Sequence, residues 1–270
     1  MHPNMSQTIQ GEGTRLIGMV HVGALPGTPR SSQRVDSLVD QAVHEAKQLE
    51  DAGFDAVIIE NMHDTPYVHG EALGPEIVAA MTKVVGAVVW TLDIPVGVQI
   101  LSGGNKHAIA VAHACGAAFI RCENFAFAHV ADEGLLAEAE AGGLLRYRRA
   151  IGADHVKVFC DIKKKHASHA LTGDLSIEDV AHGADFFGAD GLIVTGTSTG
   201  KPTDLGDVRA VRDATTLPVL VGSGVTPDSV RSLSEFADAL IVGSWIKRDG
   251  HWMNPVDPDR AKALVDSKHG

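Results

Sequence analysis

The sequence predicts one (β/α)8 barrel of the TIM type, with phosphate-binding loops after its seventh and eighth strands. Three observations carry this. Short apolar, β-branched runs return eight times at intervals of roughly 20 to 40 residues, each followed by a helical pattern. Several runs are near copies: Asp55-Ala56-Val57-Ile58-Ile59, Asp190-Gly191-Leu192-Ile193-Val194 and Asp238-Ala239-Leu240-Ile241-Val242, with Pro-Val before the third and seventh. The last two runs stop at Gly222-Ser223-Gly224 and Gly243-Ser244, small residues whose backbone N–H groups stay open to an anion.

Taken in order, residues 16–22 form strand 1, ending in Gly23-Ala24-Leu25-Pro26-Gly27. Apolar residues at helical spacing over 36–52 and the stop at Gly53 give the first helix, and 55–59 is strand 2. The polar loop of residues 63–70 is longer than a connection requires, which marks it as functional. A helix over 75–91 precedes strand 3 at 96–101, and the alanine-rich stretch 106–115 precedes strand 4 at 118–122. The segment 135–151 reads as one helix, with Arg146, Arg148 and Arg149 at the end that suits cations. Strand 5 at 155–160 runs into Asp161-Ile162-Lys163-Lys164-Lys165-His166. Ser176 caps the next helix and 191–194 is strand 6, followed by a glycine and threonine loop over 195–201. Strand 7 at 219–221 leads to Thr226-Pro227-Asp228, an N-cap, a first-turn proline and an early acid. Strand 8 at 238–242 and a closing helix over 257–265 complete a barrel domain of residues 14–270, preceded by a flexible N-terminus of residues 1–13.

Composition narrows the function. A net charge of −11 argues against a nucleic-acid surface, and the one basic run, Lys163 to Lys165, is too short to reverse that. No apolar stretch reaches the roughly 18 residues of a membrane span. The first residues carry neither a secretory nor a transit pattern, so a cytoplasmic protein is expected. Three scattered cysteines form neither a disulfide framework nor a Cys-x-x-Cys metal site. Self-association is expected as for many barrels, although the sequence carries no interface signature.

Residues at the C-terminal ends of parallel barrel strands share one rim. His21, Glu60, Asn61, Gln99, Arg121, Glu123, Asp161 and Lys163 all fall there. Lys163 is the leading catalytic candidate, as a lysine able to neutralise an enolate, donate a proton or form a Schiff base. Asp161, Glu60, His21, Arg121, Glu123 and His166 complete the catalytic set, and Asn61 and Gln99 are expected to touch substrate. The plainer alternative is that some are ion pairs closing the barrel top. Gly222, Ser223, Gly224, Gly243 and Ser244 form the expected phosphate site; Thr199-Gly200 either adds donors to it or is a simple turn. No dedicated metal motif is present, but Glu60, His63, Asp64 and His69 crowd one loop, so a divalent metal is the one cofactor left open.

Several ordered motifs add a resemblance. Gly18-Met19-Val20-His21 with Leu25-Pro26-Gly27, Glu60-Asn61 with Asp64-Thr65-Pro66, Phe119-Ile120-Arg121, Leu145-Arg146-Tyr147-Arg148, Thr199-Gly200-Lys201-Pro202 and Val221-Gly222-Ser223-Gly224-Val225 resemble the BtpA/SgcQ family over nearly the whole chain. That resemblance implies a barrel similar to the ribulose-phosphate-binding type. It also associates the chain with proteins tied to photosystem I biogenesis in cyanobacteria. The segments Gln99 to Asn105, Phe125 to Gly134 and Asp161 to His166 depart from the cyanobacterial pattern and look more like the animal-type members. Two functions follow: an enzyme of lyase, isomerase or aldolase type acting on a small phosphorylated metabolite, or a non-catalytic assembly factor. The number of ionisable residues at strand ends favours the enzyme.

Overall fold

Eight parallel strands close on themselves in the computed structural model, which describes residues 5–9, 13–196 and 202–268. They are β1 (Arg15–His21), β2 (Ala56–Glu60), β3 (Val96–Gln99), β4 (Phe119–Cys122), β5 (Lys157–Ile162), β6 (Gly191–Val194), β7 (Val219–Val221) and β8 (Ala239–Val242). Each is paired with the next in parallel, and β8 returns to β1. The helices that follow them are α1 (Val35–Ala52), α2 (Pro75–Thr91), α3 (Asn105–Cys115), α4 (Ala141–Ala150), α5 (Ile177–Phe186), α6 (Leu205–Ala214), α7 (Pro227–Ser234) and α8 (Pro258–Ser267). No described helix is long and apolar enough to cross a membrane.

Strand alternation builds two cores. Outward residues such as Leu16, Val20, Val57, Val98 and Leu240 pack against the helices. Inward residues, among them Ile17, Met19, Ile58, Phe119, Phe159 and Leu220, fill the barrel. The rings of Phe119 and Phe159 lie with centroids 5.4 Å apart across that interior. Room for them comes from Gly97, where a Cβ would stand 2.3 Å from the Phe119 ring, and Gly191, where one would stand 2.6 Å from that of Phe159.

Three stretches differ from the sequence reading. The N-terminal stretch expected to be flexible contains a short helix, Met5–Ile9, whose Met5 and Ile9 are buried with the barrel-filling residues. Residues 1–4 and 10–12 of that stretch lie outside the described residues. The helix expected over 135–151 starts only at Ala141, because Gly134–Leu136 pairs as a strand with His129–Ala131. A third short strand, Ala167–Ser168, joins them in an antiparallel sheet over the β4 and β5 ends of the mouth. Local helix propensity in Leu135-Leu136-Ala137 loses here to cross-strand pairing. Strand β5 runs two residues beyond the expected end, to Ile162, so Asp161 is a strand residue.

Candidate active site

Continuing the inward parity to the C-terminal ends gives His21 on β1, Glu60 on β2, Gln99 on β3, Arg121 on β4 and Asp161 on β5. Thr195, Gly222 and Gly243 stand just past β6, β7 and β8. His21 is in register with Glu60, and Glu60 with Gln99. These residues ring the mouth, and two adjoining cavities open there.

The smaller cavity, about 130 Å³, is bordered by Gly222, Ser223, Gly224, Gly243 and Ser244, the five residues expected to hold phosphate. Glycine is required at 222 for space, since a Cβ would stand 2.6 Å from Ile193 and 3.0 Å from Arg121. Gly224 has φ +69°, which turns the chain into α7. Ser223 is held in place, its hydroxyl accepting from the Gly196 N–H at 2.7 Å while its carbonyl accepts from the Thr203 hydroxyl at 3.0 Å. Thr199 and Gly200 lie outside the described residues. The larger cavity, about 240 Å³, is lined by Thr65, Tyr67, Gln99, Glu123, Glu133 and Trp252 among others, and both cavities share Glu60, Met62, Arg121 and Lys165.

At that shared waist the carboxyl of Glu60 is buried, and burial raises its pKa against the pull of Arg121 and Lys165. Its Oε2 lies 3.5 Å from His21 Nε2. His21 Nδ1 donates to the Trp252 carbonyl at 2.9 Å, a partner that only accepts, so Nε2 carries the lone pair that faces Glu60. Burial, with Lys247 second, holds the His21 pKa well below its ordinary value, so the ring is neutral. The Lys165 ammonium makes no hydrogen bond or ion pair with another described residue, while its backbone N–H donates to the Thr195 hydroxyl at 3.1 Å. Burial, helped by Arg121 and opposed by Glu60, Asp161 and Glu123, lowers its pKa. A carboxyl shifted up and an amine shifted down, facing one cavity, are candidates for proton transfer and charge stabilisation.

Other residues singled out in the sequence are committed to structure. Asp161 takes two parallel hydrogen bonds from Arg121, both 2.8 Å, as in the ion-pair alternative. Asn61 is wholly buried: its amide bonds Asp64 at 2.8 Å and the Leu101 carbonyl, and its oxygen accepts from Leu101 N–H at 2.7 Å. It therefore shapes the β2 loop and does not reach the cavity. Glu123 binds Lys164 at 3.2 Å and the Gly103 N–H at 3.1 Å on the wall of the larger cavity. His166 stands at the exposed rim, 3.6 Å from Asp132.

Lys163 is the main correction. Its φ of +47° ends β5 and breaks the parity with Asp161, and its ammonium donates to the Leu175 carbonyl at 3.1 Å, on the side of α5. Lys165 occupies the mouth in its place. The sequence offered only a run of three lysines after a strand, and the backbone turn that chooses among them is not visible in residue types. Lys164, Glu133 and Trp252 were missed because they arrive on the antiparallel insert and the loop after β8. The four residues suggested for a metal also separate: Asp64 accepts from Leu25 N–H and Asn61, His63 lies tilted beside the Trp252 ring, and His69 bonds the Glu133 carbonyl. Among the described residues no group of three or more His, Cys, Asp or Glu side chains is arranged to hold a metal ion.

Known proteins resemble this chain at two levels. Among solved structures, a thiamine phosphate pyrophosphorylase from Pyrococcus furiosus matches with TM-score 0.60 and 12 % identity, covering 98 % of each chain. A 3-hexulose-6-phosphate synthase matches with TM-score 0.57 and 16 % identity, covering 94 % of this chain and 99 % of the other. These likenesses establish the barrel fold. In sequence, an uncharacterized mitochondrial protein of Caenorhabditis elegans is 41 % identical over 97 % of this chain and 95 % of its own. The photosystem I biogenesis protein BtpA of Synechocystis is 33 % identical over 98 % of this chain and 91 % of its own. The sequence profile of the BtpA family matches residues 13–270, and the chain belongs to that family.

Proposed function

We propose that this protein is an enzyme acting on a small phosphorylated metabolite by proton transfer, in a reaction of lyase, isomerase or aldolase type. One observation carries the reading: a cavity edged by the glycine ends of β7 and β8 continues into a waist where Glu60, Arg121 and Lys165 are brought together. A phosphate held by the backbone N–H groups of Ser223, Gly224 and Ser244 leaves the rest of the ligand directed at that waist, while the Gly222 N–H stays in the barrel, donating to the Val194 carbonyl at 2.8 Å. Glu60, with His21 behind it, serves as the base or acid, and Lys165 with Arg121 supports negative charge developing on an enolate-like oxygen. Lys165 thus takes the role the sequence assigned to Lys163. A divalent metal is not required by this scheme.

The test is a thermal-shift screen with inorganic phosphate and a panel of phosphorylated metabolites, followed by turnover assays on the compounds that stabilise. Failure of every phosphorylated compound to stabilise the protein would favour the second reading, a non-catalytic assembly factor, suggested by the photosystem I biogenesis protein of Synechocystis. That reading has the 33 % identity of its relative behind it, but it does not account for a buried carboxyl and a half-buried amine without a side-chain partner among the described residues at one cavity. Self-association and a cytoplasmic setting belong to the proposal as well. Sedimentation and cell fractionation test them, the latter because the nematode relative is named mitochondrial.

A further inference from the structure

The larger cavity differs in charge from the phosphate end. Its wall carries Glu123 and Glu133, and one ammonium serves both: Lys164 Nζ stands 3.2 Å from Glu123 Oε1 and 3.2 Å from Glu133 Oε1. Burial works against ionisation of Glu133, but the Ser102 hydroxyl and Lys164 outweigh it and leave its pKa below the usual value. Arg121 is matched by Asp161, and Asp132 lies beside His166 at the rim. With Lys165 and Glu60 included, the lining has five carboxyl groups (Glu60, Glu123, Asp132, Glu133 and Asp161) to three basic side chains (Arg121, Lys164 and Lys165), so acidic groups outnumber basic ones there.

Two of the cavity's lining residues carry a buried oxygen that has no hydrogen-bond partner among the described residues. Gln99 is 3 % exposed, inward-pointing on β3, and its Oε1 has no hydrogen-bond partner; the Thr65 hydroxyl oxygen is likewise unpartnered. A buried acceptor left without a donor is destabilising, and a bound ligand is one source of that donor. A ligand hydroxyl would satisfy Gln99 but not the excess of acidic groups. An ammonium brings three donors and one positive charge, which answers both.

We propose that this cavity recognises an amino group on the phosphorylated substrate, so that the substrate is a small amino-bearing phosphate ester. The ammonium sits between Gln99 Oε1 and the Glu123–Glu133 wall, with Thr65 beside it. The inference rests on the phosphate reading above and is separable from it. Calorimetric titration compares matched pairs: glucosamine 6-phosphate against glucose 6-phosphate, and phosphoethanolamine against glycol phosphate, with inorganic phosphate as the reference. In at least one pair the amino member is expected to bind tenfold or more tightly than its hydroxyl partner, as about 1.4 kcal/mol per decade requires. Gln99→Leu and Glu133→Gln should each bring that ratio toward one while inorganic phosphate binds as before. Glu133→Gln lies on a loop and keeps the test open if Gln99→Leu does not fold. Equal affinities within both pairs, or an amine preference that survives both variants, would overturn the amine site and leave the phosphate reading standing. Loss of inorganic phosphate binding in the parent protein would instead remove that reading.

Discussion

Replacing Gly243 by aspartate separates the phosphate site from the fold. A Cβ at Gly243 would lie 3.6 Å from Met19 and 3.7 Å from His21 Nε2, ordinary contacts. Its φ of −110° is on the side open to all residues. Gly222 is different, because a Cβ there would collide with Ile193 at 2.6 Å, and any substitution would perturb the barrel as well as the ligand. Gly243→Asp therefore places a carboxylate at the edge of a cavity of about 130 Å³ with little strain. Two like unit charges about 4 Å apart, at an effective permittivity of about 20, repel by about 4 kcal/mol, a loss of roughly a thousandfold in affinity. Gly243→Ala is the control: it removes space but adds no charge, and should lose less than about tenfold. Calorimetric titration of inorganic phosphate into the three proteins measures this, with melting temperatures taken without phosphate to show that each is folded. A folded Gly243→Asp that bound phosphate like the parent would refute a site between the β7 and β8 loops.

Glu60→Gln and Lys165→Met should each cost about 3 kcal/mol or more in transition-state stabilisation, read as a fall of at least about a hundredfold in kcat/KM once a substrate is found. A folded variant with undiminished turnover removes that residue from the mechanism. Lys163→Ala should leave turnover intact and lower stability by about 1 kcal/mol, the worth of its bond to the Leu175 carbonyl; urea unfolding beside the activity assay checks both. Acid should destabilise the fold through His129, which burial, with Lys164 next, holds at a pKa of about 4. The unfolded chain takes up that proton below about pH 6.5 and the folded one does not. Stability is therefore retained above that pH and falls on acidification, by about 2 kcal/mol from pH 7 to pH 5. A His129→Gln variant whose stability falls as steeply over that range would assign the effect to other groups.

The barrel was legible in the residues because its determinants are local and periodic. Apolar alternation selects which residues face inward, so the step from Ile17 and Met19 to His21, or from Ile58 to Glu60, already placed the ring of mouth side chains before any contact was known. Glycines after β7 and β8 likewise pointed to the proposed anion site, since only small residues leave backbone donors uncovered there. What tertiary structure decided lies beyond the reach of that periodicity. A backbone turn at Lys163, φ +47°, put Lys165 into the mouth. Pairing between His129–Ala131 and Gly134–Leu136 carried Glu133 there in place of a helix start. Asn61, placed at the rim by its position after β2, is drawn instead to Leu101, forty residues away in the chain. Each outcome depends on partners distant in sequence and on left-handed or cross-strand geometry that side-chain type does not encode, whereas strand parity needs nothing beyond neighbouring residues.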